Sequence, residues 1–433
     1  MVNSVDMEFI QAHLQDDPKK LMLSAKRYPN INVHFAAQQI QARQQMKDKL
    51  PQWAASPKIF FPSSVSCQQA SSHQTACYKE RFVNRGEILI DCTGGLGVDS
   101  ASFAQKALQV FYLEQNETLC KISEHNFHAL GIHNIEVQHG SCLHLLTQLP
   151  SADLIYVDPS RRNVHQERLY ALSDCEPNIL NLKEILLKKA HRVLVKISPM
   201  ADIRYTLSLL PETTQVHIIS IKNECKELLF LLQRFEDTVQ HAQDAIDEIP
   251  ITAVHLGADG SEDYFCFTLA EEAASSMIPC PSSISNVPLP HPQSPVPHCH
   301  SHGYLYEPNA SILKGGAFKL PAQRYGLHKL HLHTHLYWSY YLVASFPGRI
   351  FSIKDIFDFN KNTINALHLS IPQANITVRN FCMDAPKLQQ RLKVKEGGGI
   401  YLFGAAINSG KNVLIVGERV TESLPNRALQ RRE

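Results

Sequence analysis

Short apolar runs alternate with amphipathic stretches through the middle of the chain. Residues 87–91 (E-I-L-I-D), 109–114 (Q-V-F-Y-L-E), 135–140, 153–158 (D-L-I-Y-V-D), 192–197 and 215–221 are rich in β-branched and aromatic side chains and have strand length. A polar-faced helical segment precedes Gly131, which is placed to stop it as a glycine just past a helix end. The β-α-β beat predicts a parallel sheet covered on both faces. After Asn223 the run E-C-K-E-L-L-F-L-L suits an antiparallel seventh strand, with helix the competing reading because leucine is a good helix former. Residues 251–256 and 264–268, around Asp259-Gly260, predict a hairpin.

The flanks read differently. Residues 1–80 are rich in Gln, Lys and Ala with helical spacing, as in 33–50 before Pro51, and predict an N-terminal helical module able to cap a crevice. Residues 278–302 are a proline- and serine-rich stretch predicted to be an extended linker. Beyond it R-I-F-S-I, 357–367, 374–378, 386–392, 400–403 and N-V-L-I-V-G alternate strand and helix signals. The expected parts are therefore 1–80, 81–272, 273–303, 304–335 and 336–420.

The first strand runs into D-C-T-G-G-L-G-V-D, an acid followed by a glycine-rich turn and a helix start. Glycines at 94, 95 and 97 let backbone approach a ligand closely. Gly95 and Gly97 supply two glycines of a dinucleotide fingerprint, but Ser100 stands where the third belongs, and no Gly-Lys-Ser or Gly-Lys-Thr follows to make a P-loop. An acid, a short spacer and a glycine cluster instead resemble motif I of class I S-adenosylmethionine methyltransferases. Glu114 ends the second strand, where a carboxylate meets a ribose diol, and Asp158 ends the fourth. Ligands of open parallel sheets lie beyond the strands' carboxyl ends, so Asp91, Glu114 and Asp158 are expected in one crevice.

Asp158 opens D-P-S-R-R. Pro159 lacks an N–H, which leaves the Asp158 carbonyl and carboxylate free to accept from a substrate N–H. Enzymes that methylate exocyclic amines carry an aromatic in this turn; here Ser160 and Arg161 replace the second proline and the ring. Arg161 and Arg162 are candidate phosphate grips, with a loop salt bridge as the simpler role. No cysteine lies in 158–162 or 192–199, which disfavours carbon-5 methylation of pyrimidines.

Composition narrows the class. The 433 residues are 44% hydrophobic, enough for two or three domains with real cores. No apolar run approaches a membrane span, and M-V-N-S-V-D-M-E lacks a signal peptide's regions, so a soluble cytoplasmic protein with no membrane partner is expected. Eleven cysteines without a C-x-x-C pair suggest reduced thiols. His298, Cys299, His300 and His302, and the alternating His331, His333 and His335, read as linker and as one strand face rather than metal ligands; no metal is expected. The net charge is +1, so any nucleic-acid face must be local; Arg379, Lys387, Arg391, Lys393 and Lys395, with Tyr401 and Phe403, are its candidates.

Taken nearly end to end, the chain resembles a bacterial family of class I S-adenosylmethionine-dependent methyltransferases with a C-terminal THUMP-like domain and a small ferredoxin-like piece before it. The matching stretches are S-S-H-Q-T-A-C-Y-K, D-C-T-G-G-L-G-V-D, Y-V-D-P-S-R-R, V-K-I-S-P-M-A-D-I, N-E-C-K-E-L-L, Y-L-Y-E-P-N-A-S-I-L-K and A-N-I-T-V-R-N-F. The resemblance implies an α/β fold with a Rossmann-like seven-stranded sheet, and S-adenosyl-L-methionine held by Asp91, Thr93, Gly94, Gly95, Gly97, Asp99, Glu114, Ser141 and Cys142. It implies catalysis around Asp158, Pro159 and Ser160, with Arg161 and Arg162 on the substrate. Two positions depart from the pattern: Ser141 and Cys142 follow the third strand where an acid is expected, and Cys77 stands in place of an arginine. THUMP domains bind tRNA, so the implied reaction is methylation of a nitrogen in structured RNA, tRNA or rRNA. A small-molecule methyltransferase and a catalytically silent RNA-binding protein are the alternatives.

Overall fold

The β-branched and aromatic runs become strands in the computed structural model, which describes residues 4–62, 64–161, 172, 175–234, 243–280 and 302–420. Chain contacts divide it into two compact units, Met1–Thr214 with Leu229–Gln240, and Gln215–Leu228 with His241–Glu433.

In the first unit the strands are β1 Ile88–Asp91, β2 Gln109–Glu114, β3 Ile135–His139, β4 Ala152–Val157, β5 Ser160–Arg161, β6 Cys175–Glu176 and β7 Ala190–Ile197. A hairpin, β8 Thr213–Ile221 and β9 Glu224–Gln233, follows, and with β10 Ile251–Leu256 and β11 Glu262–Phe267 the strands make a nine-stranded sheet of order β11-β10-β8-β9-β7-β4-β1-β2-β3. β1, β2, β3, β4 and β7 are parallel. E-C-K-E-L-L-F-L-L is thus a strand: a two-residue turn at Lys222 and Asn223, both at positive φ, folds it back on β8, and Leu228 to Leu232 are buried. Consecutive apolar residues on a strand need two covered faces, which the middle of a sheet provides.

Helices line the N-terminal 80 residues. Asn32 caps the helix Val33–Met46 through the Phe35 N–H at 3.1 Å, and Phe9, Ile10, Leu21, Val33, Ala36 and Ile40 form a local core. The helix stops at Met46, short of residue 50, and Pro51 opens a further helix, Pro51–Ala55, instead of closing the first, because a missing N–H costs nothing in a first turn. This module is no separate cap. Met46, Trp53, Ile59, Phe61 and Ala76 share one core with Leu96, Val98, Tyr112 and Phe127 of the sheet domain. Asn126 donates to the Phe60 carbonyl and accepts from its N–H, both at 2.8 Å.

A buried ion pair locks the same joint. Lys79, fully buried at the end of helix His73–Lys79, lies 3.0 Å from Asp99, which also accepts from Ser71 (2.7 Å) and from the Tyr156 hydroxyl of β4 (2.9 Å).

The second unit holds the hairpin tip and β10 Ile251–Leu256 with β11 Glu262–Phe267, antiparallel around Gly260 at φ +82°. It also holds a seven-stranded sheet of order β13-β14-β12-β15-β18-β17-β16. Its strands are β12 Tyr304–Pro308, β13 His328–His331, β14 Thr334–Ser339, β15 Gly348–Asp358, β16 Asn375–Arg379, β17 Ile400–Ala406 and β18 Asn412–Arg419. Two expectations are corrected here. The helix expected over 357–367 is Lys361–Ser370, because β15 runs on to Asp358 against β18 and Asn360 supplies the cap. His331, His333 and His335 do not share a strand face: Leu332 and His333 make the turn between β13 and β14. Most of the proline-rich stretch, with His298, Cys299 and His300, lies outside the described residues. Among those described, no three His, Cys, Asp or Glu side chains group as metal ligands, and no helix is long and apolar enough to cross a membrane.

Replacing Lys79 by Met leaves Asp99 buried beside fewer partners. The expected loss in urea unfolding is about 3–5 kcal/mol, and Lys79→Met/Asp99→Leu should recover part of it.

Candidate functional site

Parallel register brings the strand-end acids together. Asp91 is level with Tyr112 on β2 and Tyr156 on β4, so Glu114 and Asp158 lie two residues further along, at the same carboxyl edge. The intervening turn is tied to both neighbours. Cys92 N–H donates to the Tyr156 carbonyl and Gly94 N–H to the Leu113 carbonyl, both at 2.9 Å. Gly95 N–H donates to Glu114 Oε2 (2.9 Å), and Asp158 N–H donates to Thr93 Oγ1 (2.7 Å). Hydrogen bonds from the one turn, residues 93–95, therefore reach Asp91, Glu114 and Asp158.

The three glycines have different causes. A Cβ on Gly94 would stand 2.2 Å from the Tyr112 ring, and one on Gly97, at φ +81°, 2.5 Å from Phe127. Packing alone requires those two. Gly95, at φ +57°, has nothing nearer its missing Cβ than the Thr93 carbonyl oxygen at 3.8 Å, so it presents open backbone beside the Glu114 carboxylate. That carboxylate also accepts from Asn116 N–H at 2.8 Å and stays partly exposed, with lone pairs left for a diol.

Asp91 is buried, accepting from Ser100 Oγ at 2.6 Å and Thr93 N–H at 3.0 Å. Burial pushes its carboxyl up to about 7, aided by Asp99 and Asp158 and opposed by those two hydrogen bonds. Asp99 behaves oppositely: burial alone would raise it, but Lys79, Lys196 and its hydrogen bonds outweigh that and leave it lowered. Asp99 is committed to Lys79, Ser71 and Tyr156.

Asp158 and Pro159 are half-buried and Ser160 is exposed. Lys196 of β7, little exposed, reaches Asp158 at 2.5 Å. Sequence reasoning gave Lys196 no role, although a lysine inside the apolar run V-L-V-K-I was a visible anomaly. Arg161 pairs with Cys175 in the small β5–β6 ribbon, and Arg162 lies outside the described residues. Ser141 is exposed at the start of helix Cys142–Leu146 and does not cap it, leaving its hydroxyl toward solvent. The Cys142 side chain is buried and hydrogen-bonds to Cys92; that bond and burial push the Cys92 thiol up.

Residues 304–347 match a ferredoxin-like domain family and residues 348–419 a THUMP domain-like family. No curated protein matches the chain. A crystal structure named "putative methyltransferase from Porphyromonas gingivalis W83" is 32% identical, covering 97% of this chain and 100% of that one with a TM-score of 0.79. An rRNA methylase from Streptococcus thermophilus matches 38% of this chain and 95% of its own at 16% identity and TM-score 0.29. A protein from Streptococcus mutans in complex with SAH matches 37% and 96% at 12% identity and TM-score 0.29.

Two outcomes check this geometry. Gly97→Ala should lose several times more stability than Gly95→Ala, whose cost is backbone conformation alone, about 1 kcal/mol. An acid whose folded pKa is raised keeps its proton longer in the folded state, so its penalty is small near pH 4 and grows up to pH 7. Asp91→Asn should therefore unfold at higher urea than wild type at pH 8, by a few kcal/mol, with the gain shrinking toward pH 4.

Proposed function

This chain belongs to the family of methyltransferases with a C-terminal THUMP-like domain, and on that premise we propose that it transfers a methyl group from S-adenosyl-L-methionine to a nitrogen of a nucleotide in structured RNA, tRNA or rRNA. The observation that carries the reading is one turn, residues 93–95, whose hydrogen bonds reach Asp91, Glu114 and Asp158 at the carboxyl edge of one parallel sheet. The residues fit the cofactor: Gly95 leaves open space where a Cβ would stand, and Glu114 beside it keeps acceptor capacity for a ribose diol. When bound, S-adenosylmethionine supplies an electrophilic methyl group.

The chain's own residues do the rest. Glu114 and Gly95 hold and orient, Ser141 offers a hydroxyl in place of the usual acid, and Asp91 supplies negative potential from below. Asp158 accepts from the substrate N–H, and Pro159 keeps its own backbone from competing for that acceptor. Lys196 fixes the Asp158 carboxylate at 2.5 Å, so the acceptor is already aligned when a substrate arrives. Alignment and a proton acceptor suffice for transfer to nitrogen. The THUMP-like segment supports RNA over a small molecule as the substrate class, by analogy of fold.

Calorimetry with S-adenosylmethionine and S-adenosylhomocysteine tests the cofactor. Micromolar binding to wild type, lost in Glu114→Ala and kept in Asp158→Asn and Lys196→Met, is expected. Both latter variants should lose at least 100-fold in methyl transfer to RNA from a deletion strain, read by mass spectrometry. No binding to the intact protein would overturn the enzyme reading and favour a silent RNA-binding protein, which the absence of an acid after β3 also favours.

A further inference from the structure

The second unit carries a fixed charge cluster that the methyl-transfer reading does not use. Glu307 on β12 is fully buried, and two arginines converge on it. Arg349, opposite Glu307 on β15, donates to Oε2 from Nε at 2.8 Å and from Nη2. Arg379, last residue of β16, donates to Oε1 from Nη2 at 2.8 Å, and its Nη1 donates to the Val378 carbonyl at 3.0 Å. The strands are drawn tightly together here: a Cβ on Gly348, beside Arg349, would stand 2.2 Å from the Glu307 carbonyl oxygen.

The arrangement is asymmetric in charge and in exposure. Two guanidinium groups face one carboxylate, which leaves a net charge of one positive unit. The carboxylate is sealed at 0% exposure, while the arginine side chains are 26% and 33% exposed, so the uncompensated charge is on the outside. Donors are left over as well: Arg379 Nε is buried without a hydrogen-bond partner among the described residues, and Arg349 Nη1 donates to none of them. Nearby His335 is held neutral, its pKa pushed down to about 4 by burial first and then by Lys329, His333 and Arg379, a sign of a positive local field.

A structural tie between the segments 304–347 and 348–419 is the simpler role: Arg349 places both of its bonds on Oε2 and Arg379 satisfies Oε1. The tie accounts for the carboxylate oxygens but not for the second positive charge, which the one carboxylate of the cluster leaves unbalanced. Partly exposed guanidinium groups locked in place, with an Arg349 N–H group left over, are a means by which proteins hold phosphoryl oxygens, and the buried carboxylate removes the ordering cost in advance.

We propose that Arg349 and Arg379, held by Glu307, form a phosphoryl-binding site on the THUMP-like segment. That the phosphoryl group belongs to an RNA backbone rests on the function proposed above; the site itself does not.

The full chain, labelled with nitrogen-15, is titrated with inorganic phosphate against a matched chloride control. The Nε–H resonances of both arginines are followed, assigned through Arg349→Lys and Arg379→Lys. Saturable shifts of both resonances in the millimolar range, absent with chloride, are expected. Absence of such shifts in wild type, which needs no variant to fold, would overturn the site. In a second arm, bulk tRNA binding is measured by anisotropy across a salt series, with the slope of log affinity against log salt expected to fall by about one in Arg379→Gln. Phosphate shifts with no tRNA binding at all would sink the RNA reading and keep the site. Phosphate shifts with tRNA binding of unchanged slope would keep both and overturn the assignment of this site to RNA, leaving a free phosphorylated small molecule as its ligand.

Discussion

The first unit depends on a charge placed where water cannot reach it. Lys79 has no exposed surface, and a buried ammonium is tolerated only when its partner is close and the partner's remaining lone pairs are satisfied. Asp99 meets the first condition at 3.0 Å from Lys79 and the second in part, its Oδ2 accepting from Ser71 and Tyr156 while Oδ1 has the ion pair with Lys79 alone. The four residues come from the N-terminal helices, the helix after the glycine turn and strand β4. Breaking the pair therefore releases three elements at once, and the position of the turn relative to β4 follows from an ion pair behind it. The N-terminal module anchored this way also shares its core with Tyr112 and Phe127 of the sheet domain.

With the turn fixed from behind, its front is divided between packing and openness. Gly94 and Gly97 are committed to the rings of Tyr112 and Phe127, which enter where side chains would have been. Only Gly95 keeps open space, and its N–H is held by Glu114. Tyr112 closes the circle by donating to the Gly95 carbonyl at 2.6 Å. A ligand in the crevice thus meets backbone ordered beforehand, and little conformational entropy remains to be lost on binding.

Much of this was legible because strand-end acids and glycines sit in register whenever the strands between them are parallel and of matched length. Asp91, Glu114 and Asp158 end runs whose period and apolar content leave little choice, and the Asp259-Gly260 turn is set by local chemistry. What was not legible depends on distant partners. Lys196 acquires meaning only because β7 lies beside β4, and Lys79 only because a helix more than a hundred residues upstream of β7 folds over Asp99. The histidines near residue 333 looked like one face because alternation does not distinguish a strand from a strand that turns. The helix expected from residue 357 began later because pairing with β18 held β15 extended, a tertiary contact overriding local periodicity. The rings of Tyr112 and Phe127 against Gly94 and Gly97 are a second reason for those glycines that the local sequence does not show.

Asp91 shows why such a site is not optimised for stability. Its carboxyl is fully enclosed, and two hydrogen bonds fall short of replacing the water it lost, so its pKa rises to about 7. An asparagine would fill the same volume and accept from the same Thr93 N–H without that penalty. An acid kept at a net cost, two residues from a turn with open backbone, is best explained by its field: in a low-dielectric crevice a negative charge acts over longer distances than in water. A cationic group brought to that crevice would stabilise the ionised form of Asp91, lower its pKa and recover part of the free energy lost on folding. Part of the affinity for such a group is then free energy that Asp91 withholds from the fold.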